Sequence, residues 1–431
     1  MKKNLLTAGL IIALTACGCS KSQKTDTAAD QSTENAVSES TEKLPGSACQ
    51  AAFESEMDMA AWTDANNSFA IDMLHEMPAD KNTVFSPFSI ERTMGMVLEG
   101  ACGATASELR SALKLPEANH HSTAGHLVEQ KLLAAQNDSQ VLDIDNHLWV
   151  QDSYALLENY MNQMQSDYQA APTSLDFIGS ADSSRKTINE YISKATHEKI
   201  NDILPEGSIS SLTRLVLTNA VYFKAPWQHS FNPESTQKAD FITPTGTIQV
   251  DMMRQSKSHR AYVSESLSAV DLDFENSPFS FMVILPRVGE DGDVTAALDR
   301  VEKTLSAAEL RQIREQMSSQ PVVLQMPKFK LEAGSSIRSL LEKFGVHLAF
   351  SHADFSGMSG VPDLYLSDVF HKAFIEVDEQ GAEAAAATAA VMMKRSMPAP
   401  PLPITVDHPF LFSIIERETG TILFLGRMTS I

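Results

Sequence analysis

The chain has 431 residues, with 34 Lys and Arg against 55 Asp and Glu and a formal net charge of −21. A hydrophobic content of 43% and a charged content of 21% are ordinary globular values, which exclude disorder throughout the chain. The acidic excess repels phosphate backbones, so no nucleic-acid partner is expected. Four cysteines are too few for a small domain held by disulfides, and they leave open whether Cys49 and Cys102 pair.

The first residues have the features of a bacterial secretion signal. A basic start at residues 1–4 precedes an apolar run at 5–14 that is too short to span a bilayer. Residues 14–17 have the sequence LTAC, which ends at Cys17 and resembles a lipobox. We therefore expect a signal peptide over 1–16 and a diacylated Cys17, which would anchor the protein to a bacterial outer membrane or cell surface, on its periplasmic or extracellular face. An ordinary cleaved signal is the alternative.

The segment after the signal has the composition of a tether. Residues 20–48 are rich in Ser, Thr, Asp, Glu, Gln and Lys, and their only large aliphatic residues are Val37 and Leu44. Such a segment cannot bury enough apolar surface to offset the entropy lost on ordering. The sequence therefore predicts a lipidated start and disordered tether over 17–48, followed by one folded domain over 49–431.

Helical patterns dominate the first third of this domain. Phe69, Met73 and Met77 recur every fourth residue, and Pro78 ends the helix that they predict. Residues 105–108 (TASE) match a capping box and predict the start of another helix.

Strand patterns dominate the second half. The apolar runs at 279–285 (FSFMVIL), 322–324 and 421–425 predict strands that are buried on both faces. Helices early and strands late favour an α+β fold. A domain of this length exceeds the usual size of a single core, so more than one sheet is expected.

Enzyme motifs are absent from the sequence. It contains no H-E-x-x-H, G-x-x-x-x-G-K-[ST], G-x-G-x-x-G or G-x-S-x-G, and its one S-x-x-K match, at 40–43, lies in the predicted tether. His120, His121 and His126 lack a cysteine or carboxylate at ligand spacing, so a solvated loop is expected there and no metal site. We predict no enzyme, no metal and no cofactor. A hydrolase using one of the many serines has no nucleophile motif to support it.

An alanine-rich segment lies near the carboxyl terminus. Residues 382–390 (AEAAAATAA) contain seven alanines, and the basic pair Lys394–Arg395 follows before a proline cluster. Composition alone favours a surface helix or a slack linker. The same small side chains would also suit a segment that is cleaved by a protease or that enters a sheet as a strand.

Six segments in order resemble the serpin family. They are 82–90 (NTVFSPFSI), 218–227 (TNAVYFKAPW), 327–330 (PKFK), 353–358 (ADFSGM), 376–385 (EVDEQGAEAA) and 407–412 (DHPFLF). Local departures are Ala225 for a glycine, Tyr191 for a tryptophan, Glu198 for a glycine and Ala382 for a threonine or serine. The resemblance implies an α+β serpin fold of about nine helices and three β-sheets, with an exposed reactive-centre loop over about 379–403.

The resemblance also implies a function. A serpin inhibitor is a single-use substrate: the protease forms an acyl-enzyme on the loop, the loop enters the main sheet, and deacylation stalls because the protease loses its positioned catalytic groups. The implied partners are trypsin-like serine proteases, with elastase-, chymotrypsin- or cysteine-type enzymes as further options. The inhibitor is expected to be a monomer. A non-inhibitory serpin that acts as a binding or structural protein is the alternative.

The family pattern assigns residues to the loop. The hinge comprises Glu379, Gly381, Ala382, Glu383, Ala384, Ala385, Ala386 and Ala387. The scissile residue of the family lies sixteen positions after the hinge glutamate, which places the reactive bond at Arg395–Ser396, with Lys394 and Met393 as neighbouring alternatives. An arginine at this position requires an acidic specificity pocket in the protease.

Four further residues match a polar cluster of the family. Ser86, Ser89, Asn219 and His371 correspond to the shutter beneath the centre of the main sheet, where the strands must part. Buried polar groups need partners, and a network that can be broken and remade suits such a gate. For His371 alone, a satisfied core histidine is the alternative.

Overall fold

The computed structural model describes residues 59–116, 121–134, 140–170, 172–382 and 400–431. The chain divides into two units, residues 1–43 and 44–431. The expected signal peptide, Cys17 and the tether lie outside the described residues, as do the reactive bond and the hinge from Glu383 onward. Within the described ranges, no helix is long and apolar enough to cross a membrane.

The described residues form ten α-helices. They are α1 Met59–Glu76, α2 Pro87–Glu99, α3 Gly103–Ala112, α4 His121–Ala134, α5 Glu158–Tyr168, α6 Phe177–Ala195, α7 Val294–Thr304, α8 Ala307–Gln316, α9 Arg338–Lys343 and α10 Ser356–Ser359.

The strands dominate the second half, as the sequence predicts. They are β1 Thr83–Phe85, β2 Val141–Gln151, β3 Thr173–Leu175, β4 Leu215–Pro226, β5 Gln237–Thr243, β6 Gly246–Val263, β7 Leu267–Asp273, β8 Phe279–Pro286, β9 Ser318–Pro327, β10 Phe329–Ser336, β11 Leu366–Val377, β12 Gly381–Ala382, β13 Leu402–Thr405, β14 Phe410–Glu416 and β15 Ile422–Met428.

Hydrogen bonding joins these strands into two sheets. The main sheet has the order β10-β11-β12-β4-β2-β3, and β11 also pairs directly with β4. The second has the order β1-β15-β14-β8-β7-β6-β9-β13, with β5 attached to β6. The count is roughly consistent with the three sheets that the resemblance implies, because the 18-residue β6 pairs with β5, β7 and β9 along its length and so joins their strands into one continuous sheet.

Two apolar cores hold the main sheet between layers. Leu142 and Leu148 of β2 belong to the larger core, which also contains residues of α1, α2 and the second sheet. Trp149 of the same strand belongs to a smaller core with Ile188 and Ile192 of α6. Since side chains alternate along a strand, the odd-numbered residues of β2 face α6.

The helix predicted around Phe69 is confirmed, whereas the capping box is wrong. Helix α3 begins at Gly103, and its N-cap is Cys102, three residues before the predicted cap Thr105. Thr105 Oγ1 instead accepts a hydrogen bond from the Asp354 backbone N–H (3.0 Å). Glu108 accepts two, from the backbone N–H groups of His347 (2.8 Å) and Leu348 (2.7 Å). Thr105 and Glu108 therefore form hydrogen bonds with distant backbone groups instead of the local capping bonds that the sequence pattern predicts.

Two smaller expectations are also resolved. Cys102 is disulfide-bonded, which excludes a free thiol at this position, and its bonding partner lies outside the described residues. The expected solvated loop at the histidines is wrong, because His121 and His126 lie in α4. Across the described part of the chain, no three His, Cys, Asp or Glu residues are grouped so that they could hold a metal ion.

Candidate functional site

The beginning of the hinge lies between two strands of the main sheet. Strands β4 and β11 run parallel, and the chain turns back after β11 so that β12 enters between their carboxyl-terminal ends. Ala382 pairs with Val377 on one side and with Ala225 on the other, and its side chain is fully buried. A Cβ atom on Gly381 would lie 2.1 Å from the Ala225 carbonyl oxygen, so only glycine fits there.

Glu379 anchors this turn to the neighbouring strands. Its carboxylate lies 2.7 Å from Lys328 Nζ and accepts a hydrogen bond from Thr236 Oγ1 at 2.7 Å. Its carbonyl oxygen accepts a hydrogen bond from the Phe231 N–H (2.8 Å). Burial raises the pKa of Glu379, but the hydrogen bonds from Lys328 and Thr236 outweigh burial and hold that pKa below the ordinary 4.5. The carboxylate is therefore charged and paired at neutral pH.

Trp227 closes the turn from the other side. Its indole Nε1 donates a hydrogen bond to the carbonyl oxygen of Asp378 (2.9 Å), and its backbone N–H donates one to the carbonyl oxygen of Gln380 (2.9 Å). The ring stacks on Phe274 with the ring centroids 4.9 Å apart. Residues 378–381 thus form a fixed turn at the mouth of a gap that begins between β4 and β11.

Replacing Glu379 with glutamine is expected to loosen this anchor. The amide keeps the volume but loses the ion pair with Lys328, which is 39% exposed, so we expect a loss of about 1 kcal/mol in native stability. The thermal unfolding midpoint measures it. Glu376→Gln is the matched control, because Glu376 Oε2 and Lys330 Nζ lie 3.9 Å apart and both side chains are more exposed than those of Glu379 and Lys328. Equal shifts in the two variants would show that Glu379 has no special anchoring role.

The structure brings the four predicted shutter residues together. His371 on β11 and Asn219 on β4 are neighbours in register, and His371 Nδ1 contacts Asn219 Oδ1. Asn219 Nδ2 donates to Ser89 Oγ at the start of α2. Ser86 caps that helix: its Oγ accepts from the Ser89 N–H (3.2 Å), and its own N–H donates to His371 Nε2 (3.1 Å).

Two further residues complete the cluster and were missed by sequence reasoning. Thr93, one helical turn after Ser89, accepts from Asn219 Nδ2 (2.9 Å). Asn146 on β2 lies opposite Asn219, and its Oδ1 accepts from Ser89 Oγ (2.8 Å) and Thr93 Oγ1 (2.9 Å). The helical spacing of Thr93 was a visible signal, whereas Asn146 required the register of β2 on β4.

The cluster fixes the protonation of His371. Because Nε2 accepts the Ser86 N–H, the proton lies on Nδ1 and is donated to Asn219. The ring is 2% exposed, and burial lowers the pKa of His371 from 6.5 to about 3. The cluster thus ties α2 to the two strands that lie on either side of the gap, through neutral groups only.

The departures from the serpin pattern fit this geometry. Ala225 is fully buried beside Ala382, so its small side chain still leaves room for the hinge. Tyr191 packs edge-on against His147 and Trp149, as an aromatic residue on α6 can. Glu198 has a φ of 60°, the left-handed conformation for which a glycine is better suited.

Comparisons with known proteins agree with this architecture. The family model for serpins, described as serine protease inhibitors, matches residues 64–431. A serpin-like protein of Thermococcus kodakarensis is 39% identical over 372 residues, 85% of this chain and 84% of that protein. The leukocyte elastase inhibitor of Bos taurus is 36% identical over 378 residues, 85% of this chain and 98% of that protein.

Solved structures lead to the same assignment. Serpin48, described as a highly specific serpin of the insect Tenebrio molitor, is 30% identical, covers 88% of this chain and 100% of its own, and has a TM-score of 0.74. The predicted α+β serpin fold is therefore confirmed. The chain belongs to the serpin family, many of whose members are protease inhibitors rather than enzymes.

Proposed function

We propose that this serpin inhibits a trypsin-like serine protease by trapping it as an acyl-enzyme. The observation that carries the proposal is the position of Gly381 and Ala382, which already form two residues of a strand between β11 and β4. The residues that follow them in sequence, Glu383 and four alanines, are mostly small. Cleavage of the loop would free this strand to extend into the sheet.

The pairing of the strands in the main sheet supports this proposal. On the amino-terminal side of the residues that pair with β12, strands β4 and β11 pair directly and in parallel. This pairing extends from Tyr222 and Phe374 at one end to Leu215 and Leu366 at the other. An entering strand would replace this single parallel pairing with two antiparallel ones, which are slightly more stable per residue. The 12 residues of β4 correspond to roughly 40 Å, so a protease attached beyond the strand would be carried that far.

The sequence of the loop supports a trypsin-like target. Arg395, preceded by Lys394, would occupy an acidic specificity pocket, and both are basic residues on a chain of net charge −21. Elastase-, chymotrypsin- or cysteine-type proteases are secondary candidates. We further propose that the protein acts as a monomer, lipid-anchored through Cys17 on the periplasmic or extracellular face of a bacterial outer membrane or cell surface.

Incubation with trypsin tests the proposal. The wild-type protein is expected to form a complex of roughly summed mass that survives SDS, because the acyl bond is covalent. Arg395→Ala should abolish that complex, whereas the matched Lys394→Ala variant should retain it. Clean cleavage of the wild-type loop without any complex would instead identify a non-inhibitory serpin, and loss of the complex in Lys394→Ala alone would move the reactive bond by one residue.

A further inference from the structure

A small cavity lies beside strand β6, where one edge of that strand is unpaired. Strand β5 pairs with residues 246–252 of β6 and β7 pairs with residues 260–263 on the same edge, so residues 253–259 have no partner on that edge among the described strands. The segment that follows β4 and the end of β7 enclose the remaining space, which has a volume of about 20 Å³. A space of this size holds one water molecule or one metal ion but no organic ligand.

Three polar atoms of β6 at this cavity have no hydrogen-bond partner. Gln255 and His259 both line the cavity, and since they are four residues apart on a strand their side chains lie on the same face. Each side chain belongs to a residue that is only 7% exposed. The buried atoms Gln255 Oε1, Gln255 Nε2 and His259 Nε2 have no partner among the described residues. Burying polar groups in this way is unfavourable, so the three atoms indicate a missing ligand.

The surroundings of His259 direct a lone pair into the cavity. The ring forms a hydrogen bond to the backbone of Asp271, which must involve Nδ1 because Nε2 has no partner. With the proton on Nδ1, the neutral ring carries its lone pair on Nε2. Burial, with a smaller contribution from the nearby His229, lowers the pKa of His259 from 6.5 to about 4. The ring is therefore neutral at pH 7, and a metal ion would not have to displace a proton from Nε2.

His229 supplies a second imidazole at the same cavity. It lies in the segment after β4, and its ring centroid is 6.4 Å from that of His259. Two imidazoles on one tetrahedral ion, with metal–nitrogen bonds of about 2.0–2.1 Å, have centroids roughly 5–6 Å apart. The backbone of this segment is held in place, since the Gln228 N–H donates to the Asp273 carbonyl oxygen (2.9 Å). A small rotation of the exposed His229 side chain is therefore enough to bring both rings onto one ion.

The chemistry of the lining distinguishes between the possible occupants. The described residues that line the cavity include no lysine or arginine, and their only charged group is the Asp273 carboxylate, whose Oδ1 accepts a hydrogen bond from Arg417 (2.9 Å). This lining favours a cation over an anion. A water molecule could bond to Gln255 and His259 but would make no use of the second imidazole. Imidazole nitrogens suit Zn²⁺, Ni²⁺ and Cu²⁺, whereas Mg²⁺ and Ca²⁺ prefer oxygen ligands.

We propose that this cavity binds a divalent transition-metal ion, with Zn²⁺ as its representative, through His259 Nε2, an imidazole nitrogen of His229 and Gln255 Oε1. A water molecule at the fourth position of the ion would accept a hydrogen bond from Gln255 Nε2, so that all three unpartnered atoms of β6 gain a partner. His229 and His259 are 30 residues apart, so no local ligand spacing indicates this site in the sequence. The hinge and the reactive bond do not contribute ligands, so metal binding is independent of the proposed inhibition.

Calorimetric titration of the chelator-treated protein with Zn²⁺ at pH 7 tests the proposal. Saturable binding is expected, and Mg²⁺ should not bind at this site. Loss of a partner in the outer shell of a metal site already weakens metal binding 10–100-fold, so His229→Ala, which removes a ligand, should weaken Zn²⁺ binding by about tenfold or more. His352→Ala is the matched control, because His352 is also exposed but does not line the cavity. Zn²⁺ should also raise the thermal unfolding midpoint of the wild type more than that of His229→Ala, since it binds the native protein.

A second variant tests the third ligand by a gain in affinity. Gln255→Glu keeps the shape of the side chain and replaces the amide oxygen with a carboxylate oxygen, so it should tighten Zn²⁺ binding. Unchanged affinity in this variant would overturn the assignment of Gln255 as a ligand. Equal Zn²⁺ affinity in wild type and His229→Ala, an equal loss of affinity in His352→Ala, or no saturable binding by the wild type would overturn the metal site. None of these measurements uses a protease, so their outcome does not depend on whether the protein inhibits one.

Discussion

If the protein inhibits trypsin-like proteases as proposed, replacing Ala382 with arginine is expected to turn it from an inhibitor into a substrate. Ala382 is fully buried between Val377 and Ala225, in a space that accommodates a methyl group. An arginine there would be overpacked by about 1–3 kcal/mol and would also carry a charge into the sheet. The arginine would therefore disfavour the position that residue 382 already occupies between β11 and β4, and the strand would have to bury this side chain before it could extend further into the sheet.

The outcome depends on whether loop insertion is faster or slower than deacylation of the acyl-enzyme. A barrier raised by about 3 kcal/mol slows insertion roughly 100-fold, since each 1.4 kcal/mol corresponds to a factor of ten. The protease then hydrolyses its acyl bond and leaves. Gel electrophoresis after incubation with trypsin should show cleaved A382R protein and no SDS-stable complex, and cleavage should no longer raise the thermal unfolding midpoint.

Ala382→Ser is the control for this prediction. The hydroxyl adds little volume and no charge, and the family itself commonly has serine or threonine at this position, so the complex should persist. Full complex yield from the A382R protein would contradict the proposal that insertion begins at this residue. Loss of the complex in both variants would mean that any change at this position, and not the size and charge of the side chain, prevents trapping.

The shutter illustrates what the sequence could and could not predict. Ser86, Ser89, Asn219 and His371 come from three segments separated by more than a hundred residues, and only their match to a family pattern placed them together. Thr93 was within reach, because position i+4 on a helix lies beside Ser89. Asn146 was not, because nothing in a single strand reveals its register against β4.

The wrong prediction of the capping box has a physical cause in long-range contacts. Thr105 and Glu108 form a correct capping box in sequence, yet in the folded protein both side chains bond to the backbone of distant segments at Asp354, His347 and Leu348. The two joined sheets likewise depend on one continuous strand, β6, that changes partners along its length. Local rules predict elements well, but long-range hydrogen bonds decide between competing uses of the same residue.

Acidification is expected to weaken the native fold through His371. Its pKa is about 3 in the folded protein, because of burial, against 6.5 when exposed. Between these values the unfolded chain binds a proton that the native protein does not, so the free energy of unfolding falls as pH falls below 6.5. At pH 4 this amounts to about 3 kcal/mol. Protonation of Nε2 would also break its hydrogen bond to the Ser86 N–H.

Other buried groups make the whole-protein pH profile ambiguous. Burial lowers the pKa values of His147 and His259 to about 4, so both act in the same direction as His371. Burial raises the pKa of Glu91 to about 7 and that of Asp145 to about 6. These carboxyl groups bind protons more readily in the native state, so they stabilise the fold as pH falls. The diagnostic quantity is therefore a difference between two proteins.

His371→Gln provides that difference, because glutamine keeps a donor and an acceptor but does not titrate. Denaturant unfolding rates of wild type and variant should be compared between pH 7 and pH 4. The variant is expected to unfold faster than the wild type at pH 7, where the native hydrogen bonds of the wild type are intact. This gap between the two unfolding rates should narrow steadily toward pH 4. His147→Gln serves as a comparison, since it removes a second buried histidine that stacks on Trp149 outside the shutter. Because the pKa of His147 is also lowered, to about 4, its gap to the wild type should narrow as well. A constant gap for His371→Gln across this range would show that His371 is not held neutral by the cluster that ties β4 and β11 to α2.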